Sequence, residues 1–238
     1  LLPMHECIDV MERALRSVAE GAAVLPLRTV IRLPGTPNAF AAMPAVLGAG
    51  AAAALGAKII TVFPGNDQTP YDSHTGVVLL FDAERGALRA IADASSITAI
   101  RTAAVSGLAT RLLANDDASE LALLGAGVLA MPHLEAIRAV RTIRRVRIWS
   151  RSTDRANELA KRVISQQESV VRAKPGIEVR VCETAREAVT GAHVVCTITA
   201  ARTPVLEGAW LASGTHINAV GASLASAREL DTAAVAAA

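Results

Sequence analysis

The sequence predicts an α/β protein built from two domains, and three observations support this fold class. An apolar, strand-like run ends in the glycine-rich stretch LLGAGVLA at residues 123–130. After that stretch, short apolar strands alternate with helical segments, which is the pattern of a parallel sheet covered by helices. Before it, several strands follow one another with turn signals between them, as in an α+β domain. We place the domain boundary between residues 116 and 117, which gives domains 1–116 and 117–238.

The glycine-rich stretch has the spacing Gly-x-Gly-x-x-Ala, with its glycines at 125 and 127 and the alanine at 130. In a Rossmann dinucleotide-binding domain the first glycine permits a tight strand-to-helix turn, and the second lets the backbone approach a pyrophosphate. The third small residue lets the helix pack closely on the strand. The sequence therefore predicts a phosphate-binding loop formed by Gly125, Ala126, Gly127, Val128 and Leu129.

The end of the second Rossmann strand indicates which dinucleotide is used. An NAD site has an acidic residue about 20 residues after the loop, but here the strand ends in Ser150, Arg151 and Ser152. An arginine pairs with the 2′-phosphate of NADP, and the serine hydroxyls can donate hydrogen bonds to it. We therefore predict NADP(H) in preference to NAD(H). The alternative, in which Arg151 is an ordinary solvated arginine, leaves NAD(H) possible.

Composition excludes several classes of function. The chain has 238 residues, a net charge of +2 and only 3% aromatic residues, so we expect no nucleic acid partner. Its three cysteines lack metal-ligand spacing, so we expect no metal site. Cys182 and Cys196 lie in apolar runs and are predicted to be buried free thiols in a reducing, cytoplasmic compartment.

One uncharged run, at residues 39–57, has the length of a membrane span. It contains Pro44 and three glycines and is mostly alanine, so its hydrophobicity is marginal for insertion. We interpret it as a strand, a turn and a small helix of a globular domain, with no membrane association.

Periodicity and turn signals place the elements along the chain. Helices are predicted at 3–21, 96–114, 128–140, 153–170 and 184–190. Strands are predicted at 25–33, 39–47, 58–63, 75–81 and 88–93 in the first domain, and at 120–124, 145–150, 178–183, 193–199 and 215–220 in the second.

Three cations of the first domain lie in apolar surroundings. Arg28 interrupts an apolar strand, Lys58 stands at the head of KIITVF, and Arg101 lies among small residues of the long helix. Each alone is more often structural, and spacing does not show that they converge. If they converge, they form a clamp for a substrate carboxylate.

Several segments together resemble the ornithine cyclodeaminase/mu-crystallin family, in order and over nearly the whole chain. They are PLRTVIRLPG, LGAKIITVFPGN, SSITAIRTAAVSGLAT, LALLGAGVLA, VRIWSRSTDRANELA and THINAVGAS. The resemblance implies a Rossmann domain paired with a substrate and dimerisation domain, and a homodimer formed through the sheets of that domain. It also implies that Arg28, Lys58 and Arg101 bind the carboxylate of the substrate.

The resemblance further assigns residues to the cofactor site. Thr102 and Ser106 lie where the long helix of the family approaches the cofactor. Residues matching the fourth- and fifth-strand ends, beside the dinucleotide, are Thr197, Thr199, Asn218, Val220 and Gly221.

The chain departs from the family pattern in three places. Members that cyclise ornithine carry an aspartate where this chain has Ser223, and a serine has no useful pKa for a general base. Leu129 replaces a glutamine found in many members, which we expect to be neutral because the loop works through its backbone. Family members also continue beyond this C-terminus, so we expect part of the substrate domain to be missing, either by truncation or by disorder.

The sequence therefore predicts an NADPH-dependent reductase of small cyclic ketimines, such as pyrroline- or piperideine-2-carboxylate, or the reverse amino-acid dehydrogenase. We assign catalytic roles to Lys58, Arg101 and the Ser223 position, and take His74 as the candidate proton donor because imidazole titrates in the useful range. One alternative is an ornithine cyclodeaminase, with Asp67, Asp72 or Asp93 replacing the missing base. Another is a mu-crystallin-like protein that binds a ligand without turnover.

Overall fold

A computed structural model describes residues 2–50, 53–66, 69–169 and 176–238. The chain divides into two compact units, one of residues Asp9–Arg101 and one that combines the segment ending at Ile8 with Thr102–Ala238. This division falls inside the long helix, whereas the sequence places the domain boundary just after it. The assignment of substrate and cofactor binding to separate domains stays a prediction.

The unit of residues 9–101 contains an antiparallel sheet. Its strands are β1 (Ala23–Val24), β2 (Thr29–Arg32), β3 (Ala39–Leu47), β4 (Ala54–Val62), β5 (His74–Phe81) and β6 (Leu88–Asp93). They are ordered β1-β3-β4-β5-β6, and β2 also pairs with β3. Two helices run from one unit into the other, α1 (Met4–Ala19) and α2 (Ala94–Leu113).

The small helix predicted within residues 39–57 stays a prediction, because residues 51–52, which follow the turn in that run, lie outside the described residues. Residues from Ala54 onward belong to β4, where Leu55 pairs with Val46 of β3 and Phe81 of β5. Pairing on both sides satisfies the backbone N–H and C=O groups of this segment. It overrides the helix propensity of alanine, which is the highest of any residue but small in energy. Gly56 fits this place because an added Cβ would lie 2.6 Å from the carbonyl oxygen of Leu79. As a consequence, Lys58 lies in the middle of a strand and not at its head.

The other unit contains a five-stranded parallel sheet, which confirms the predicted Rossmann architecture. The strands are β7 (Glu120–Leu124), β8 (Arg145–Trp149), β9 (Glu178–Val181), β10 (Val194–Thr197) and β11 (His216–Ala219), in the order β11-β10-β7-β8-β9. The remaining helices are α3 (Ala130–Val140), α4 (Thr153–Ser169), α5 (Ala185–Val189) and α6 (Thr232–Ala236).

Helices cover both faces of this parallel sheet, as predicted. On one face, side chains such as Leu121 and Val146 pack against α3 and α4. On the other face, Ala122 and Val195 pack against α5. Successive strand residues alternate between the two faces, so a strand buried on both sides reads as a continuous apolar run.

Small residues bring the helices of this unit close together. An added Cβ at Gly107 of α2 would lie 2.9 Å from Ile8 and 3.2 Å from Ala136. Ala103 and Ala104 are completely buried. Small side chains and closely packed helices therefore contribute to a core in a chain with only 3% aromatic residues.

Cys7, Cys182 and Cys196 are free and buried, which confirms the prediction for the latter two. Burial raises the pKa of the Cys196 thiol to about 12. Within the described segments, no His, Cys, Asp and Glu side chains form a group of three able to hold a metal ion. Over the same segments, no helix has the length and apolar character needed to cross a membrane.

Candidate active site

The phosphate-binding loop follows β7 and has the geometry that its glycines predict. Gly125 has φ +120°, and an added Cβ would lie 2.8 Å from the carbonyl oxygen of Ile198. Its N–H donates to the carbonyl oxygen of Trp149 at 2.8 Å, which joins the loop to the end of β8. Both the dihedral angle and the close contact require glycine at this position.

The second glycine of the loop lies in open space. No atom of the described residues comes within 4 Å of the Cβ that a side chain at Gly127 would have. Helix α3 begins at Ala130, two residues later than predicted, and Leu129 provides no side-chain cap for it. The N–H of Ala130 donates to the carbonyl oxygen of Gly127 at 3.0 Å, but the N–H groups of Val128 and Leu129 make no backbone hydrogen bond within the described residues. These N–H groups are available to an anion, so the loop fits the pyrophosphate of a dinucleotide. Ala126 is partly buried and Val128 is 84% exposed.

The end of β8 presents an exposed arginine between two serines. Ser150 Oγ accepts a hydrogen bond from the N–H of Ser152 at 3.4 Å, and Ser152 Oγ accepts one from the N–H of Arg155 at 3.3 Å. Both hydroxyls keep their own proton for donation. Within the described residues, no carboxylate pairs with Arg151, so its guanidinium can bind a 2′-phosphate.

The ends of β10 and β11 meet at a buried carboxylate that sequence reasoning missed. Glu229 is 1% exposed and accepts hydrogen bonds from the hydroxyl of Thr197 and from both the N–H and the hydroxyl of Thr199, at 2.8, 2.6 and 2.6 Å. It also accepts one from the N–H of Gly221 at 2.6 Å. A lone acidic residue after the last strand carries no motif, so nothing in its spacing indicates this role.

Gly221 is required for this arrangement because an added Cβ would lie 1.9 Å from the carbonyl oxygen of Thr199. Thr197 is completely buried, so its side chain does not face a ligand. Val220 and Thr102 are partly buried, and the N–H of Val220 donates to the carbonyl oxygen of Thr197 at 3.0 Å.

Two further residues assigned to the cofactor have side chains bonded in the interior. The Asn218 amide donates to the hydroxyl of Thr110 on α2 at 3.0 Å. Ser106 Oγ lies 3.1 Å from Nε2 of His133, whose Nδ1 is 2.7 Å from the carbonyl oxygen of Leu129. Alternation along β11 and the helical repeat of α2 turn these two side chains inward. We therefore expect neither side chain to bind the cofactor directly.

The three cations predicted as a clamp share one region of the antiparallel unit. Lys58 on β4 is paired with Met43 on β3. Thr29 pairs with Ala42, so continuing that register by one residue sets Arg28 opposite Met43 on its other side. Directly paired residues share a sheet face, so Arg28 and Lys58 lie on one face with backbones about 10 Å apart.

Helix α2 brings the third cation to the same face. Lys58 Nζ donates to Thr98 Oγ1 at 2.6 Å, and Arg101 follows one turn after Thr98. Partial burial and the positive charges of Arg101 and Arg28 lower the pKa of Lys58. Partial burial and the charge of Arg28 likewise lower the pKa of Arg101. The three charges are therefore close enough to repel one another.

This repulsion is not compensated by protein carboxylates within the described segments, where no ion pair involves Arg28, Lys58 or Arg101. Uncompensated cations that repel one another are stabilised by binding an anion. A carboxylate accepts hydrogen bonds from several such donors at once.

His74 lies on the same sheet face as Lys58, since it pairs with Val62 four residues further along β4. Its Nδ1 is 3.0 Å from Ser73 Oγ. Partial burial and the charge of Lys58 lower the pKa of His74, which favours the neutral imidazole. A proton-donating role is consequently confined to acidic conditions.

Of the positions considered for a cyclodeaminase base, those that the structure describes are uncharged, exposed or bonded at a helix start. Ser223 is exposed, and its N–H donates to the carbonyl oxygen of Gly221 at 2.8 Å. Asp93 accepts a hydrogen bond from the N–H of Ser96 at 2.7 Å near the start of α2, and its bonds to Ser96 lower its pKa. Asp72 is exposed, and Asp67 lies outside the described residues.

This chain is similar to known proteins over most of its length. The ornithine cyclodeaminase/mu-crystallin family matches residues 1–238. Ketimine reductase mu-crystallin of Mus musculus is 40% identical over 227 residues, which cover 94% of this chain and 68% of that protein. The chain thus spans about two thirds of the length of this relative.

Solved structures are similar over both units. The Δ(1)-pyrroline-2-carboxylate reductase of Thermococcus litoralis, solved with NADH and L-proline, has a TM-score of 0.88 at 35% identity, covering 99% of this chain and 70% of that one. An archaeal alanine dehydrogenase dimer with bound NAD has a TM-score of 0.84 at 31% identity, covering 97% and 67%. The chain belongs to the ornithine cyclodeaminase/mu-crystallin family.

Proposed function

We propose that this protein is an NADPH-dependent reductase of small cyclic ketimines, such as pyrroline-2-carboxylate, or the reverse amino-acid dehydrogenase. The observation that carries the proposal is the cluster of Arg28, Lys58 and Arg101 without a carboxylate partner among the described residues, in a chain that also has an intact dinucleotide loop. Relatives that reduce cyclic imines support an NAD(P)-dependent oxidoreductase acting on C=N or CH–NH groups.

In this proposal the three cations bind the carboxylate of the imino acid. Each charge-assisted hydrogen bond contributes about 1.5–3 kcal/mol. The bond from Lys58 to Thr98 fixes the ammonium group above the sheet and so limits the positions that the carboxylate can take. Fixing the carboxylate orients the neighbouring C=N carbon, which is the reacting atom.

In the proposed reaction, the dinucleotide loop binds the cofactor. Gly125, Gly127 and the first turn of α3 hold the pyrophosphate, and Arg151 with Ser150 and Ser152 selects the 2′-phosphate of NADP(H) over NAD(H). When bound, a nicotinamide dinucleotide supplies hydride transfer to carbon. The relatives solved with NADH and NAD support binding of a nicotinamide dinucleotide but leave the NADP preference as our proposal.

A proton must reach the imine nitrogen, and two side chains can provide it. The lowered pKa of Lys58 makes its ammonium group a stronger acid than an ordinary lysine. His74 is the sequence-predicted donor, but its lowered pKa leaves it largely neutral at neutral pH. We therefore assign Lys58 the larger share of the proton transfer near neutral pH, with His74 contributing under acidic conditions.

Two other functions are less well supported. An ornithine cyclodeaminase needs a carboxylate base, and the matching position is the exposed Ser223. A protein that only binds a ligand would use the same cation cluster without oxidising the cofactor, so turnover distinguishes it from a reductase.

We also propose a homodimer located in the cytoplasm. The antiparallel unit exposes large apolar side chains, including Leu27 at 96% and Ile91 at 62% exposure. We expect these side chains to form part of an association surface, and the related archaeal alanine dehydrogenase is a dimer. Three buried free thiols are in keeping with a reducing compartment.

The first test is to follow the nicotinamide absorbance of the purified full-length protein with pyrroline-2-carboxylate, in parallel with NADPH and NADH. We expect rapid oxidation of NADPH and slower oxidation of NADH. Oxidation of neither cofactor would refute the reductase, and release of proline and ammonia from ornithine would then establish the cyclodeaminase.

A further inference from the structure

Glu229 combines a buried charge with hydrogen bonds to two separate strand ends. All four of its donors belong to the residues that follow or end β10 and β11, namely Thr197, Thr199 and Gly221. No described basic side chain pairs with it, so neutral donors alone stabilise this carboxylate. A buried charge held in this way fixes its surroundings, because each donor would lose a strong partner by moving.

Glu229 lies at the ends of the strands that would face the nicotinamide half of the dinucleotide. In a Rossmann domain the ligand lies across the carboxyl ends of the strands. Here the phosphate loop follows β7, and the end of β8 carries the residues expected to contact the adenosine ribose. The strand order β11-β10-β7-β8-β9 leaves β10 and β11 on the opposite side of the loop, which is the side of the nicotinamide half.

We propose that Glu229 is a positioning residue that holds the ends of β10 and β11 together and thereby shapes the half-site for nicotinamide. The proposal rests on the use of a nicotinamide dinucleotide in the proposed function. Glu229 does not itself contact the cofactor, since it is 1% exposed and surrounded by its own donors. It acts through the backbone of Thr199 and Gly221.

The hydrogen-bond pattern predicts that glutamine cannot replace this residue. Oε1 accepts from the N–H of Thr199, and Oε2 accepts from the N–H of Gly221. A glutamine amide has one oxygen and one NH₂ group. In either orientation its NH₂ group faces one of these two backbone N–H groups, so that strand end must move or lose its partner.

The test is to measure binding of two ligands to Glu229→Gln and to the wild type by calorimetry. The first ligand is NADPH, and the second is 2′-phospho-ADP-ribose, which lacks nicotinamide. We expect the dissociation constant of NADPH to rise about tenfold, while that of the fragment stays within about twofold. A general loss of structure would weaken the binding of both ligands equally. A difference between the changes in the two dissociation constants is therefore specific to the proposed role.

Glu207→Gln is the matched control, since Glu207 lies in the same unit, is exposed and makes no side-chain hydrogen bond to the described residues. Its binding of both ligands should equal that of the wild type. Thr197→Val is a second variant, because it removes one buried donor to Glu229 without changing the carboxylate. It should raise the dissociation constant of NADPH about threefold and leave that of the fragment unchanged. This variant carries the test if Glu229→Gln does not fold.

Equal effects on the two ligands, or no effect in either variant, would overturn the role of Glu229. Failure of the wild type to bind NADPH or NADH would instead refute the proposed function, so the two failures are distinguishable.

Discussion

The two candidate binding regions of this protein are encoded in different ways. The dinucleotide loop consists of five consecutive residues, and its decisive features are the backbone angle of Gly125 and the open space at Gly127. The cation cluster draws on Arg28 just before β2, Lys58 on β4 and Arg101 on α2. A loop that binds through its backbone can be recognised from local sequence, whereas a cluster of side chains depends on strand register and on the helix that covers the sheet.

The two sheets differ in burial as well. Leu121–Leu124 of β7 are completely buried, but every residue of β2 is exposed. The parallel sheet is covered on both faces within its own unit, while the antiparallel sheet leaves apolar side chains in solvent. This difference explains why we propose association with a second copy through the antiparallel unit and not through the Rossmann unit.

The largest effect is expected from Gly125→Val, which tests whether the loop depends on backbone geometry. The new side chain would meet the carbonyl oxygen of Ile198 at a positive φ, so we expect NADPH binding to weaken by about 100-fold and the melting temperature to fall. Gly127→Val is the control: its Cβ meets open space, so binding should weaken while the melting temperature stays the same. A Gly125→Val protein with wild-type stability would contradict this account of the loop.

A loss almost as large is expected from Lys58→Met, which removes one charge of the cluster. The kcat/KM for pyrroline-2-carboxylate should fall about 100-fold because a charge-assisted bond and an acid are both lost. The dissociation constant of NADPH should not change. Lys161→Met makes the same substitution at an exposed position of α4 and should leave kcat/KM unchanged. If Lys58→Met and Lys161→Met behave alike, the cluster does not bind substrate.

Arg151→Ala should have an intermediate effect and tests cofactor selection. Without the guanidinium, the ratio of kcat/KM for NADPH to that for NADH should fall about tenfold through loss of the pairing with the 2′-phosphate. Arg162→Ala, an exposed arginine of α4, serves as the comparison and should leave the ratio intact. Equal use of NADPH and NADH by the wild type would already refute selection by Arg151.

The smallest effect is expected from His74→Gln and concerns pH. Burial and the charge of Lys58 lower the pKa of His74, so its protonated form is lost as pH rises through a value below that of ordinary histidine. We expect kcat/KM to fall about threefold in the acidic range and to match the wild type at neutral pH. His5→Gln, at an exposed histidine, provides the reference profile. An unchanged profile in His74→Gln would leave Lys58 as the proton donor at every pH.

The sequence by itself determined the Rossmann domain, because its signals are local. The glycine spacing, the apolar strands at 120–124 and 145–149 and the buried thiols all follow from contiguous residues whose backbone preferences are nearly independent of the rest of the chain. The family resemblance likewise rested on contiguous segments, and the family is confirmed. The boundaries of α3 were less well determined, since the turn at Gly127–Leu129 and the first helical turn have similar local patterns.

Only the tertiary structure decided which side chains meet. The pairing of Leu55 with Val46 and Phe81 extended β4 and moved Lys58 to its middle, against the local preference of alanine. The same structure turned Ser106 and Asn218 into the interior. It also brought Glu229 to the end of β11 and to the end of β10, which lies 30 residues earlier in the chain. These contacts depend on strand register and on packing between separate segments. A short segment of the sequence does not contain both partners of such a contact, so it cannot indicate their free energy.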